Sequence, residues 1–191
     1  MERSLEVGEF VLASGTRSTY YIDARRTTFS AEGQFLLGLE VLRVLREAGI
    51  HPQWIGGLTM GADPIACAVA HQSWMDGTPI QAFSVRKEAK GHGTGRQVEG
   101  GLPSGARVVV VEDSLTTGGS SLRAARLLEA EGAVVEAILT VVDREEGGSE
   151  KIQEAGYPFF RLYTAGELLA AAGSAPGSSL SPGISPPASE A

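Results

Sequence analysis

The residues best suited to chemistry sit in one stretch: Val108-Val109-Val110-Val111-Glu112-Asp113-Ser114-Leu115-Thr116-Thr117-Gly118-Gly119-Ser120-Ser121. Four valines end in two adjacent carboxylates. Small hydroxyl and glycine residues then open a helix. Glycines let backbone N–H groups come close to an anion, and a helix N-terminus adds unpaired donors and a positive dipole end. Thr116, Thr117 and Ser120 add hydroxyl donors. The pattern predicts a phosphate cradle at the carboxyl end of a buried parallel strand, where such sheets bind ligands. Neither a Gly-Lys-[Ser/Thr] element nor GxGxxG is present, so it is not a Walker loop or a dinucleotide fingerprint. Carboxylates beside a phosphate repel it, so Glu112 and Asp113 should do another task, holding ribose hydroxyls or a magnesium ion.

A second constellation is basic: Arg86-Lys87-Glu88-Ala89-Lys90-Gly91-His92-Gly93-Thr94-Gly95-Arg96. Glycines interleave the charges and make a hinge. Such a loop suits a mobile lid, over about residues 86–101, that closes on a polyanion and excludes water. The chain has 3 Lys against 13 Arg, and Lys87 and Lys90 share this loop.

Periodicity supplies the elements that position these groups. Helices are expected over Ala31 to Ala48, Ala62 to Gln72, Ser120 to Glu131, Lys151 to Ala155 and Ala165 to Ala172. Strands are expected at Trp54 to Leu58, Ile80 to Val85, Arg107 to Val111, Val134 to Val142 and Phe159 to Leu162. Gly91 to Gly105 reads as a long loop. Strands alternating with helices predict an α/β fold, a doubly wound and mostly parallel sheet flanked by helices. One domain over residues 1–172 and a flexible Ser/Pro/Gly tail over 173–191 are expected.

Composition narrows the class. The chain has 191 residues, 42% hydrophobic and 20% charged, enough for one domain with a core. A net charge of −7 argues against a nucleic-acid coat protein. The lone cysteine, Cys67, lies in an apolar run and reads as a small buried hydrophobe. His51 and His71 read as structural, and Trp54 and Trp74 as core or interface residues. No window is apolar enough to span a membrane and no signal core begins the chain, so a cytoplasmic protein is expected.

The stretch from Val108 to Ser121 resembles the 5-phosphoribosyl-1-diphosphate (PRPP) motif of type I phosphoribosyltransferases. Arg-Lys-Glu-x-Lys-x-His-Gly from Arg86 is similar to the catalytic loop of the orotate phosphoribosyltransferases. So is Val141-Val142-Asp143-Arg144-Glu145-Glu146-Gly147 to that family's Asp-Arg-x-Glu-x-Gly. Phe10 to Asp23, with Leu12, Ser14-Gly15, Ser18 and Tyr20, resembles its N-terminal hood.

The resemblance implies transfer of the phosphoribosyl group from PRPP to N1 of orotate, giving orotidine 5′-phosphate and diphosphate, in pyrimidine biosynthesis. It implies Mg2+ held mainly through PRPP, and a homodimer in which Arg86 and Lys87 act across the interface. It implies that Arg86, Lys87, Lys90 and His92 reach the diphosphate and that Glu112 and Asp113 hold the ribose hydroxyls. It further implies that Ser114, Leu115, Thr116, Thr117, Gly118, Gly119 and Ser120 bind PRPP, and that Thr116 and Arg144 bind orotate. Lys90, His92 and Asp113 are the expected catalytic residues; an imidazole ordinarily titrates near neutrality and can donate a proton. A guanidinium forking to a carboxylate is the chemistry expected of Arg144.

Two positions depart from the pattern. Relatives carry phosphate-binding lysines where this chain has Ala13 and Met60. Arg17 or Arg25 could substitute, and the backbone of Leu58 to Gly61 should still meet diphosphate. A transferase for purine bases would lack the Arg144 clamp. A regulator keeping the fold as a sensor would add a nucleic-acid surface, which the net charge of −7 opposes.

Overall fold

Among the described residues six strands form one sheet, in the order β5 (Val98–Glu99), β4 (Gln81–Val85), β3 (Trp54–Leu58), β6 (Arg107–Leu115), β7 (Val134–Asp143) and β8 (Phe159–Thr164), and a separate two-stranded hairpin precedes it. The computed structural model describes residues 4–11, 17–88 and 97–173. The hairpin pairs β1 (Leu5–Val11) with β2 (Arg17–Ile22) antiparallel. A single turn, α1 (Arg25–Thr28), leads to α2 (Ala31–Glu47). Then come β3 (Trp54–Leu58), α3 (Ala62–Met75), β4 (Gln81–Val85), β5 (Val98–Glu99), β6 (Arg107–Leu115) and α4 (Gly119–Ala130). β7 (Val134–Asp143), α5 (Gly148–Glu154), β8 (Phe159–Thr164) and α6 (Ala165–Gly173) complete it.

Local chemistry accounts for these boundaries. Ser30 caps α2 by accepting from the Gly33 N–H at 3.0 Å. Gly49, at φ 69°, stops it, and the Ile50 N–H closes back on the Leu45 carbonyl at 2.9 Å. Along α2, Leu37, Val41, Leu42 and Leu45 are buried, while Phe35, Leu36 and Leu39 stay exposed.

The valine strand organises the core. Val109 and Val111 enter one hydrophobic cluster with α2, α3 and α6. Val108 and Val110 enter the other, with Ala124, Ala125 and Leu128 of α4 and Ile152 of α5. Alternation along a strand puts neighbours on opposite faces, so four consecutive valines are what a sheet covered on both sides requires. Each is at most 1% exposed, and burying each stabilises the fold by up to about 2 kcal/mol.

β3 pairs parallel with β4 on one side and with β6 on the other. The chain therefore leaves β3 in both directions, making a topological switch point at the carboxyl ends of β3 and β6.

Several expectations need correction. Cys67 is exposed on α3, because the run around it turns its other members inward. Trp74, read as a core or interface residue, is 71% exposed, which removes the core half of that reading. His51 and His71 are exposed. The segment read as one long loop contains β5, whose Val98 and Glu99 pair antiparallel with Val85 and Ser84. β6 runs on past Val111 through both acids, because Glu112, Ser114 and Leu115 pair with Thr140, Val142 and Asp143 of β7. α6 extends through Gly173; the rest of the expected tail lies outside the described residues.

Candidate active site

Alternation continues through the two acids and sends them apart. Glu112 shares the parity of Val108 and Val110 and points toward α4, where the Ser121 hydroxyl donates to its Oε2. Asp113 shares the parity of Val109 and Val111 and faces the β3–α3 loop. There a methyl group on Gly61 would lie 2.4 Å from its Oδ1. Burial pushes both carboxyl groups above their ordinary range. The Ser121 hydroxyl partly offsets this for Glu112. For Asp113 the offsets are the Ser114 N–H, at 3.0 Å from Oδ1, and the nearby charge of Arg25. Arg25 is itself held by Asp23, through its N–H and Nε, both at 3.2 Å from Oδ1.

The loop from Thr116 to Gly118 is positioned by a close backbone approach. Gly118, at φ 75°, caps α4 in the left-handed conformation that glycine tolerates. A methyl group on Gly148 would lie 2.4 Å from the Thr116 carbonyl oxygen, so the start of α5 supports the loop directly. Thr116, Thr117, Gly119 and Ser120 are exposed at its rim. Leu115 differs from its neighbours. Its side chain is 1% exposed in the core and its carbonyl accepts from the Arg144 N–H at 2.8 Å, so what it can offer a ligand is confined to backbone.

That bond ties Arg144 to the end of the strand that carries the two acids. Its side chain is only 9% exposed and meets Glu146 at 3.5 Å. Its Nε is buried without a hydrogen-bond partner. Its guanidinium carbon stands 5.1 Å from the centre of the Tyr20 ring. The turn carrying it is fixed by Asp143, 1% exposed, which accepts from the Glu145 N–H at 2.9 Å and meets Arg161 at 3.4 Å. A largely buried guanidinium with one long carboxylate contact and an unused Nε donor favours an anion beside it.

Only the base of the basic loop falls among the described residues. Arg86 bonds Glu99 through Nε at 2.8 Å, and the carbonyl of Lys87 accepts from Arg123 of α4. Lys90 and His92 lie outside the described residues, as does Ala13. Met60 is 59% exposed on the β3–α3 loop, whose Thr59 hydroxyl donates to Asp63 Oδ2 at 2.6 Å.

Among the described residues no three His, Cys, Asp or Glu converge as a metal cage. Glu112 and Asp113 at the end of β6 are oxygen donors of the kind Mg2+ accepts beside waters and substrate oxygens. No helix among them is long and apolar enough to cross a membrane.

Sequence reasoning placed Tyr20 in the hood and Gly61 in the diphosphate loop but did not link them to Arg144 and Asp113, and it gave Ser121 and Asp23 no role. Only Ser121, one turn from the acids, carried a local signal, a hydroxyl in the first turn of α4.

The Phosphoribosyl transferase domain family matches residues 41–155. A curated orotate phosphoribosyltransferase of Aquifex aeolicus is 47% identical over 171 residues, 88% of this chain and 92% of its own. Among solved structures, Mycobacterium tuberculosis orotate phosphoribosyltransferase in complex with Fe(III) dicitrate superposes with TM-score 0.78 at 39% identity, covering 87% of this chain and 93% of that one. The same enzyme in complex with PRPP gives TM-score 0.74 at 35% identity, over 87% and 92%.

Proposed function

The chain belongs to the orotate phosphoribosyltransferases, which transfer a phosphoribosyl group from PRPP to orotate, and from that premise we propose how its residues divide the task. The backbone N–H groups and hydroxyls of Thr116 to Ser120 take the 5′-phosphate. Glu112 and Asp113 accept hydrogen bonds from the ribose hydroxyls. Arg144 forks onto the orotate carboxylate, with Thr116 beside the ring, and so aims N1 at C1′. The N1–C1′ bond forms as the C1′–O bond to diphosphate breaks, through a cation-like state that the carboxylates of Glu112 and Asp113 favour. Catalysis is then mostly positioning and charge stabilisation.

The leaving diphosphate is met by the backbone of Leu58 to Gly61 and by Arg86, Lys87, Lys90 and His92. Lys90 follows its charge, and His92 donates a hydrogen bond or proton to it. Mg2+ held mainly through PRPP would supply further neutralisation of that charge. Arg25, whose charge already reaches Asp113, supplies positive potential that relatives obtain from lysines at the positions of Ala13 and Met60. The protein works as a cytoplasmic homodimer, with Arg86 and Lys87 serving the partner's site.

The observation that carries this reading is the buried Arg144 guanidinium, with its unpartnered Nε, tied through Leu115 to the strand that bears the acids. Diphosphate release from PRPP with orotate, adenine or guanine as acceptor tests it. Release with orotate alone is expected. Release with a purine and none with orotate would overturn it.

A further inference from the structure

Among the described residues, the hood hairpin meets Arg144 through an aromatic ring. β2 alternates, so Tyr21 faces outward against Phe10 while Tyr20 turns inward onto the core. Tyr20 is held at its backbone by one side chain. The Ser18 hydroxyl donates to the Tyr20 carbonyl at 2.7 Å and accepts from the Tyr20 N–H at 3.3 Å. The ring then stands over the Arg144 guanidinium, 5.1 Å from centroid to Cζ. A guanidinium is a flat fork, and a ring over one face leaves its edges for hydrogen bonding.

We propose that Tyr20, pinned by Ser18, is a positioning residue that fixes the plane in which Arg144 meets the carboxylate of the base. This rests on the reading of Arg144 as the orotate clamp. The guanidinium carries a buried, unpartnered Nε and one long contact to Glu146 at 3.5 Å, so hydrogen bonds do not set its rotation. The ring does. Because a bidentate carboxylate lies in the guanidinium plane, and the orotate ring is conjugated with its carboxylate, the plane of Arg144 becomes the plane of the base. Tyr20 thereby orients N1 without touching the reacting atoms.

Steady-state kinetics of Tyr20→Leu, Tyr20→Phe, Arg144→Lys and the Tyr20→Leu/Arg144→Lys pair test this. Removing a cation–π partner from a desolvated site should raise the KM for orotate about tenfold in Tyr20→Leu. The KM for PRPP should stay within about twofold of the parent, since no PRPP group is placed on Tyr20. Tyr20→Phe, which keeps the ring, should restore the orotate KM. In the Arg144→Lys background, where the planar fork is gone, Tyr20→Leu should add nothing. An unchanged orotate KM, an equal rise for both substrates, or the same penalty in both backgrounds would overturn the proposal. Arg144→Lys alone leaving the orotate KM unchanged would instead remove the clamp reading.

Discussion

Gly61 lies directly against the carboxylate of Asp113: a methyl group on its Cα would stand 2.4 Å from Oδ1 and 2.8 Å from Cγ. The β3–α3 loop and the acid of β6 are therefore one fitted unit across the switch point. Gly61→Ala must turn the carboxylate away from the Ser114 N–H that now holds it at 3.0 Å. Because the displaced group is a short side chain and not backbone, folding should survive at a cost of about 1 kcal/mol. The KM for PRPP should rise about tenfold or more, since a misplaced contact loses orientation. Kinetics and thermal unfolding on the same sample check this; a parental PRPP KM would show that the fit is not used.

The acid pair links activity to pH. Burial raises both Glu112 and Asp113. A carboxyl group whose folded pKa exceeds its unfolded value stabilises the fold below the unfolded value. That contribution is lost as pH rises through the folded one. At neutral pH each charge thus works against folding. Asp113→Asn should raise the thermal midpoint of the ligand-free protein at neutral pH, with the gain shrinking as pH falls through the carboxylate range. It should also lower kcat/KM about a hundredfold or more. In the parent, the KM for PRPP should climb on acidification through the same range, as protonation removes the acceptors. A neutral-pH midpoint that falls in Asp113→Asn would contradict the burial account.

The basic loop gives a test of shared sites. Lys90→Ala should cut turnover by two orders of magnitude or more with the unfolding midpoint unchanged. If Lys87 serves the partner's site, mixing inactive Lys87→Ala and Asp113→Ala proteins should regain activity, because some mixed dimers hold one intact site. No recovery after subunit exchange would mean each site is built from one chain.

What the sequence revealed here was local. Four β-branched residues in a row announced a strand buried on both faces, and the acids and glycines after it announced an anion site. Each signal lies within one strand or one turn. Relations across the fold had no such signature. Tyr20 and Arg144 meet because a separate hairpin folds over the end of β7, and Gly61 meets Asp113 because β3 and β6 are neighbours in space. Cys67 misled because an apolar run cannot tell which helix face is outward when both neighbours are apolar. β5 escaped notice because a two-residue strand has no period, and it forms only where Val98 and Glu99 can pair with β4.

The central claim is that Arg144 reads the carboxylate of the base, and one comparison tests it directly: kcat/KM for orotate against uracil, which lacks that carboxylate, in the parent and in Arg144→Met. The parent should favour orotate by about a thousandfold or more, since uracil leaves a buried guanidinium without its anion. Arg144→Met should lose that preference to within about tenfold, mainly by losing orotate. A variant that still prefers orotate as strongly as the parent would contradict the account, because some other group would then be reading the carboxylate.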